Sequence, residues 1–173
     1  LGAALELSPD DLKPALFAGW DIVHIEVYLV RNHALVRRAV ELATAAGARV
    51  AIDLASYNVV EANLEFLQNI VSEHVDIVFA NEEEAKAFTG LAEEAALNAI
   101  ATRCEIAVVK LGKRGSLARR GENTARAGVI PATAIDTTGA GDLFASGFLY
   151  GFVSGATLEQ SCRLGALTSG KIV

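Results

Sequence analysis

The chain has 173 residues, of which 52% are hydrophobic and 21% charged, and its formal net charge is −6. This composition excludes a disordered chain and provides enough apolar surface for a sizeable core. The acidic balance disfavours a nucleic-acid-binding surface, and no apolar run reaches the length of a membrane span. We therefore expect a soluble protein whose residues 1–173 form one domain, with neither nucleic acid nor membrane as a partner.

Helical and strand patterns alternate along the first two thirds of the chain. Helices are predicted at residues 9–17, 33–46, 58–74, 81–88 and 93–103, with two more from about 139 and from about 158 to the end. Short apolar strands are predicted at 21–25, 49–53, 75–79 and 105–110. Such alternation favours parallel pairing with helices on both faces of the sheet. A β-hairpin is predicted where the helical period disappears, 116–120 with 124–129. The expected fold class is therefore α/β.

The cysteines and the chain ends carry less information. Cys104 and Cys162 lie far apart without metal-ligand spacing, which favours two free thiols and a cytoplasmic location over a disulfide. The chain starts at Leu1, contains no Met, and stops inside an apolar-periodic run. We therefore expect a fragment or an excised domain of a longer protein.

The most informative stretch is residues 136–142, Asp-Thr-Thr-Gly-Ala-Gly-Asp, which precedes a helical pattern. A helix that begins near Gly139 leaves its first amide groups unpaired, and small residues allow a phosphate to approach them. Asp142 stands in the first turn, where a carboxylate is placed to receive a hydroxyl proton. The alternative is that Asp142 only complements the helix dipole.

Other polar residues are expected at the carboxyl ends of parallel strands, where ligands bind in open α/β sheets. This rule predicts that Asp53, Asn81, Lys110 and the loop around Asp136 share one crevice. Each also has a structural interpretation. Asn81 is an expected helix cap, and for Asp53 we favour a capping role, together with Ser56, at the helix that follows.

These motifs, in order, resemble those of the ribokinase-like (PfkB) carbohydrate and nucleoside kinases. The resemblance rests on Asn-x-x-Glu at residues 81–84, Leu-Gly-x-x-Gly at 111–115, and the signature at 136–142. It implies the three-layer αβα ribokinase-like fold without its N-terminal portion. It also implies ATP-dependent phosphoryl transfer to a hydroxymethyl group of a sugar or nucleoside.

The resemblance also assigns roles to single residues. Asp142 is implied as the catalytic base and the amides of Gly139, Ala140 and Gly141 as the anion hole. ATP and Mg²⁺ are the implied cofactors, with a monovalent cation such as K⁺ as a further candidate. The residues implied to hold the cofactor and the metals are Asn81, Lys110, Gly112, Gly115 and Thr138 for the nucleotide, Glu84 for Mg²⁺, and Asp136 for the monovalent cation.

Some alternatives remain open at the level of sequence. Many family members carry Thr at the position of Lys110, so its side-chain role is undetermined, and Gly112 and Gly115 are also explained by a turn into the hairpin. Residues 25–29 resemble a segment of adenosine-kinase-like members, except that Val27 replaces Gly. Residues 165–171 fit the spacing of a phosphate-binding P-loop, but the helical pattern before them disfavours one.

The sequence identifies neither the sugar or nucleoside acceptor nor the oligomeric state, for which a dimer is one option. A non-catalytic domain that binds a nucleotide or anion for regulation is the alternative function.

Overall fold

The computed structural model describes residues 6–130 and 138–170 of the chain. Six strands form one sheet in sequence order, in which the first four pair in parallel and the last two add in antiparallel fashion. The strands are β1 (Ile22–Glu26), β2 (Arg49–Asp53), β3 (Ile77–Asn81), β4 (Ile106–Lys110), β5 (Ser116–Arg120) and β6 (Asn123–Ala127). The predicted mainly parallel sheet with a hairpin after it is confirmed.

Helices cover both faces of this sheet, which makes the fold a three-layer α/β architecture. The first face carries α1 (His33–Ala45), α2 (Tyr57–Ala62), α3 (Leu64–His74), α4 (Glu82–Thr89) and α5 (Glu93–Ala101). The second face carries α6 (Ala140–Val153) and α7 (Leu158–Ser169). Right-handed crossovers between strands added in one direction place every connecting helix on the same face. This rule explains why α1 to α5 lie together.

Successive side chains of β3 point to opposite faces of the sheet, so this one strand contributes to two hydrophobic cores. Val78 belongs to the core beneath α1 to α5, whereas Ile77 and Phe79 belong to the core beneath α6 and α7. The rings of Phe79 and Phe148 meet edge to face, with centroids 5.3 Å apart. Because both faces are covered, the strand is apolar at every inner position.

The first predicted helix, over residues 9–17, is wrong. The structure has two short 3₁₀ turns there, Pro9–Asp11 and Pro14–Leu16. Pro14 supplies no backbone N–H, and it forces the preceding Lys13 into an extended conformation (φ −100°, ψ 144°). A continuous helix cannot pass this point.

The predicted helix over residues 58–74 is divided into α2 and α3 at Asn63, whose backbone leaves the helical region (φ −131°, ψ 25°). The Asn63 side chain donates to the carbonyl of Val59 at 2.9 Å, and its Oδ1 contacts His33 Nε2 at 2.9 Å. Asn side chains compete with the helical hydrogen-bond pattern in this way.

Helices α6 and α7 approach each other closely because glycines lie between them. A β-carbon on Gly147 would lie 2.6 Å from the carbonyl oxygen of Leu164 and closer still to Oγ1 of Thr168. The Thr168 hydroxyl donates to the carbonyl of Leu143 at 2.6 Å and so ties α7 to the first turns of α6. The residues that resemble a P-loop belong to this helix as far as Ser169, and the segment directly before them is the first part of α7 instead of a strand.

Both cysteines are free, as predicted. Burial raises the pKa of the Cys162 thiol to about 11 and that of Cys104 to about 12, so neither thiol is ionised at neutral pH. Within residues 6–130 and 138–170, no helix is both long enough and apolar enough to cross a membrane.

We expect Gly147→Ala to destabilise the protein that carries this chain by about 1–3 kcal/mol, because the added methyl group meets backbone of α7 that cannot move aside. Urea denaturation measures the free energy of unfolding. Gly128→Ala is the matched control, because a β-carbon there has no atom of the described residues within 4 Å apart from its chain neighbours, and its effect should stay within about 0.5 kcal/mol. Equal effects of the two substitutions would contradict the packing described here.

Candidate functional site

The carboxyl ends of the parallel strands border a cavity of about 1160 Å³, which the start of α6 closes on one side. The register of the strands explains why their carboxyl ends meet at this cavity. Glu26 pairs with Asp53 and Asn81 pairs with Lys110, so β1 to β4 end at one edge of the sheet. The predicted site residues that line this cavity are Asn81, Glu84, Lys110, Gly112, Gly115, Thr138, Gly139, Ala140, Gly141 and Asp142. Asp136 lies outside the described residues.

A buried ion pair lies at the inner wall of the cavity. Lys110 Nζ donates to Asp53 Oδ2 at 2.6 Å, and the two side chains are 18% and 3% exposed. Asp53 Oδ1 accepts the N–H of Ala55 at 3.1 Å, before α2 begins. The predicted cap is therefore wrong, since Asp53 binds no amide of α2 and Ser56, the N-cap residue, makes no side-chain cap hydrogen bond.

The pairing of Asp53 with Lys110 is not predicted by the sequence pattern. The two residues end β2 and β4, which are separated by β3, so no neighbouring register connects them. The available signal was the presence of opposite charges at the last positions of two nearby strands.

Asn81 and Glu84 form a reciprocal cap at the start of α4. Asn81 Oδ1 accepts the Glu84 N–H at 2.9 Å, while the Glu84 carboxylate accepts the Asn81 backbone N–H at 2.8 Å and its side-chain amide at 2.6 Å. The predicted capping role of Asn81 is confirmed. Glu84 is only 3% exposed, and this burial raises the pKa of its carboxyl, although the Asn81 N–H partly opposes the shift.

The first residues of α6 line the cavity. Gly139 is the N-cap residue, with the left-handed backbone (φ 77°) that glycine adopts without strain, and its carbonyl accepts the Leu143 N–H at 3.0 Å. The first amides of α6 have no partner within the helix. The side chain of Asp142 follows in the first turn, on an exposed residue that lines the cavity.

Lys110 lies directly beside these amides. A β-carbon placed on Gly141 would be 3.4 Å from Lys110 Nζ. An ammonium group and a helix start, which carries a partial positive charge, therefore point to the same part of the cavity. This arrangement favours an anion there, with the carboxylate of Asp142 alongside.

Gly112 and Gly115 have conformational reasons for being glycine. Both have positive φ, 53° and 88°. A β-carbon on Gly115 would overlap the carbonyl oxygen of Ala127 on β6. The turn into the hairpin is therefore confirmed, and contact of these residues with a nucleotide stays a prediction.

Tyr28 and Val27 belong to a 3₁₀ turn that follows β1. The Tyr28 hydroxyl donates to the carbonyl of Ala55 at 3.0 Å, and Tyr28 lines the cavity. Among the described non-glycine residues, positive φ occurs at Ala55 and Glu93, so Val27 does not need the backbone freedom of glycine. Val27 is buried in the core instead.

Comparison with known proteins agrees with this architecture. The family model described as pfkB family carbohydrate kinase matches residues 1–173. The chain belongs to this family of carbohydrate kinases, and the resemblance found in its motifs is confirmed.

Three relatives show how far the similarity extends. The chain is 32% identical over 188 residues to a 5-dehydro-2-deoxygluconokinase from Shouchella clausii, covering 99% of this chain and 56% of the relative. The adenosine kinase structure from Sinorhizobium meliloti has a TM-score of 0.90 at 35% identity, covering 96% of this chain and 53% of that one. The structure of a probable sugar kinase from Rhizobium etli CFN 42 has a TM-score of 0.90 at 33% identity, covering 96% of this chain and 52% of that one. The chain thus spans about half the length of these kinases.

The buried carboxyl of Glu84 predicts a dependence of stability on pH. Its pKa is raised above the ordinary value of 4.5, so the folded protein binds this proton more tightly than the unfolded chain does. Stability from this group is therefore lost as the pH rises from about 4.5 through the folded pKa. Glu84→Gln removes the titration and keeps an acceptor for the Asn81 N–H.

We expect the free energy of unfolding of Glu84→Gln, relative to the wild type, to increase as the pH rises above about 4.5. Denaturant titrations at a series of pH values measure it. Glu83→Gln, at an exposed position of the same turn, is the control and should show no such trend. If the free energy of unfolding of the wild type instead increased relative to that of Glu84→Gln as the pH rises, the raised pKa of Glu84 would be contradicted.

Proposed function

We propose that the protein that carries this chain transfers the terminal phosphoryl group of ATP to a hydroxymethyl group of a sugar or nucleoside. The observation that carries the proposal is the convergence of three groups on one cavity. These are the amides at the start of α6, the ammonium of Lys110 beside Gly141, and the carboxylate of Asp142. Family membership supports the same class of reaction.

The anion-binding half of this site is made by the backbone. Amides of Gly139, Ala140 and Gly141 stabilise charge on the transferring group, because fixed donors need no reorganisation during the reaction. Lys110, whose charge is partly compensated by Asp53, adds a charged N–H donor beside these amides. In phosphoryl transfer the protein contributes mainly position and charge, and these groups supply both.

Asp142 is the proposed base. It follows the anion hole directly in sequence, so an acceptor hydroxyl aligned with the phosphoryl group lies within its reach. An alcohol is far less acidic than a carboxylic acid, and the proton therefore moves to Asp142 late, as the new P–O bond forms. The carboxylate also orients the attacking oxygen.

The few oxygen ligands that line the cavity fit a magnesium ion that keeps most of its bound water molecules. No cluster of three or more His, Cys, Asp or Glu side chains capable of holding a metal occurs among residues 6–130 and 138–170. Mg²⁺ in phosphate sites is bound by one or two carboxylates together with water and phosphate oxygens. Glu84 is the proposed carboxylate, contacting the ion through water, and Asn81 orients it. The ion neutralises charge on the phosphates when bound.

The remaining assignments complete the proposal. Gly112, Gly115 and Thr138 contact the nucleotide, and Asp136 takes part in binding a monovalent cation such as K⁺. The acceptor is a small sugar or nucleoside, since the relatives include an adenosine kinase and a 5-dehydro-2-deoxygluconokinase.

Substitution Asp142→Asn tests the reaction. In the protein that carries this chain, we expect kcat to fall at least about 100-fold with little change in affinity for ATP, because the base is lost and the anion hole is kept. Phosphate transfer to a panel of sugars and nucleosides measures kcat, and calorimetry measures ATP binding. Asp10→Asn, an exposed Asp in the first 3₁₀ turn, is the control and should retain full activity.

Two results would overturn the proposal. Unchanged turnover in Asp142→Asn removes this residue as the base. Binding of ATP by the wild type without transfer to any acceptor of the panel supports the alternative, a regulatory domain that binds a nucleotide without catalysis.

A further inference from the structure

The Asp53 carboxylate is held at both of its oxygens. Oδ2 accepts Lys110 Nζ at 2.6 Å, and Oδ1 accepts the Ala55 N–H at 3.1 Å. Ala55 has a left-handed backbone (φ 49°), and its carbonyl accepts the Tyr28 hydroxyl at 3.0 Å. The loop after β2 thus fixes Asp53, and Asp53 in turn fixes one end of the Lys110 side chain.

The ammonium group of Lys110 is stable at its position only with a negative charge nearby. Lys110 Nζ lies beside Gly141, next to the positive end of α6, where a cation is repelled. Desolvation of two charges also costs free energy, since the Asp53 side chain is 3% exposed and that of Lys110 is 18% exposed. Asp53 offsets the repulsion, and so keeps Lys110 at a place it would otherwise leave.

The ammonium group retains donors for a ligand. Lysine carries three N–H donors and no acceptor, and Asp53 uses one of them. Among the residues that the structure describes, Lys110 makes no second hydrogen bond, so the other two can donate to phosphate oxygens, which accept strongly from charged donors. The group closest to the α6 amides is the terminal phosphate, if nucleotide binds as proposed above.

We propose that Asp53 is a positioning residue that holds Lys110 Nζ on the terminal phosphate of bound ATP, so that the pair distinguishes ATP from ADP. This inference rests on the proposed function. It assigns to Asp53 a role that acts through Lys110, and it gives Lys110 a contact with one particular phosphate.

Calorimetry with ATP and with ADP, each in the presence of Mg²⁺, tests the inference on the protein that carries this chain. We expect Asp53→Asn and Lys110→Met each to weaken ATP binding about tenfold, as expected for loss of a hydrogen bond to a charged group. Affinity for ADP should change much less. The double variant should bind ATP no more weakly than Lys110→Met alone, because Asp53 acts only through Lys110.

The control is Glu159→Gln, which removes the carboxylate of an exposed ion pair with Arg163 on α7. It should bind both nucleotides as the wild type does. A purely structural role of Asp53 would lower the melting temperature and leave the ratio of ATP to ADP affinity unchanged, which would overturn the inference. Should Asp53→Asn not fold, Asp53→Glu, which keeps the negative charge but displaces the carboxylate by one methylene group, is measured instead, and an unchanged ratio of ATP to ADP affinity would overturn the inference.

Two further results separate this inference from the proposed function. If the wild type binds ATP but the variants lose affinity for ATP and ADP equally, this inference is overturned and the proposed function is not. Absence of ATP binding by the wild type overturns the proposed function and, with it, this inference.

Discussion

Parallel pairing of β1 to β4 with aligned ends is the constraint on which the site depends. In this arrangement the last side chain of each strand lies at the same edge of the sheet. Asp53 and Lys110, which are 57 positions apart in the sequence, are therefore close enough for Lys110 Nζ to donate to Asp53 Oδ2 at 2.6 Å. The connecting helices all lie on one face, which leaves the other face free for α6. The start of α6 can then close the crevice from the side opposite the connecting helices.

Much of this could be predicted from the sequence. The inner positions of β2, β3 and β4 are apolar because both faces of the sheet are covered, and that pattern predicted the parallel part of the sheet. Gly112 and Gly115 in the turn after β4 and Gly139 at the start of α6 have positive φ, which favours glycine, so these conformations are visible in the sequence motifs. The cavity accordingly brings together every described residue that the motifs had indicated.

The parts that could not be predicted depend on single side chains that compete with the backbone or act at a distance. Pro14 interrupts a segment that has a good helix start at Ser8, and Asn63 divides a helix whose apolar spacing continues through it. Asp53 was assigned to a cap because local hydrogen bonding is the usual role of an Asp before a helix. Its partner lies two strands away, and sequence spacing contains no information about that distance.

The hydrogen bond from Thr168 to the carbonyl of Leu143 has a consequence for how sequence variation in this family is interpreted. It links the last turn of α7 to the residue that follows Asp142, while Gly147 allows the two helices to lie close enough for the bond to form. Growth-based selection of variants would therefore find these interhelical positions intolerant of substitution, as it would the residues at the start of α6. Intolerance on α7 would then record the placement of the neighbouring helix, and it should not be counted as evidence of ligand contact.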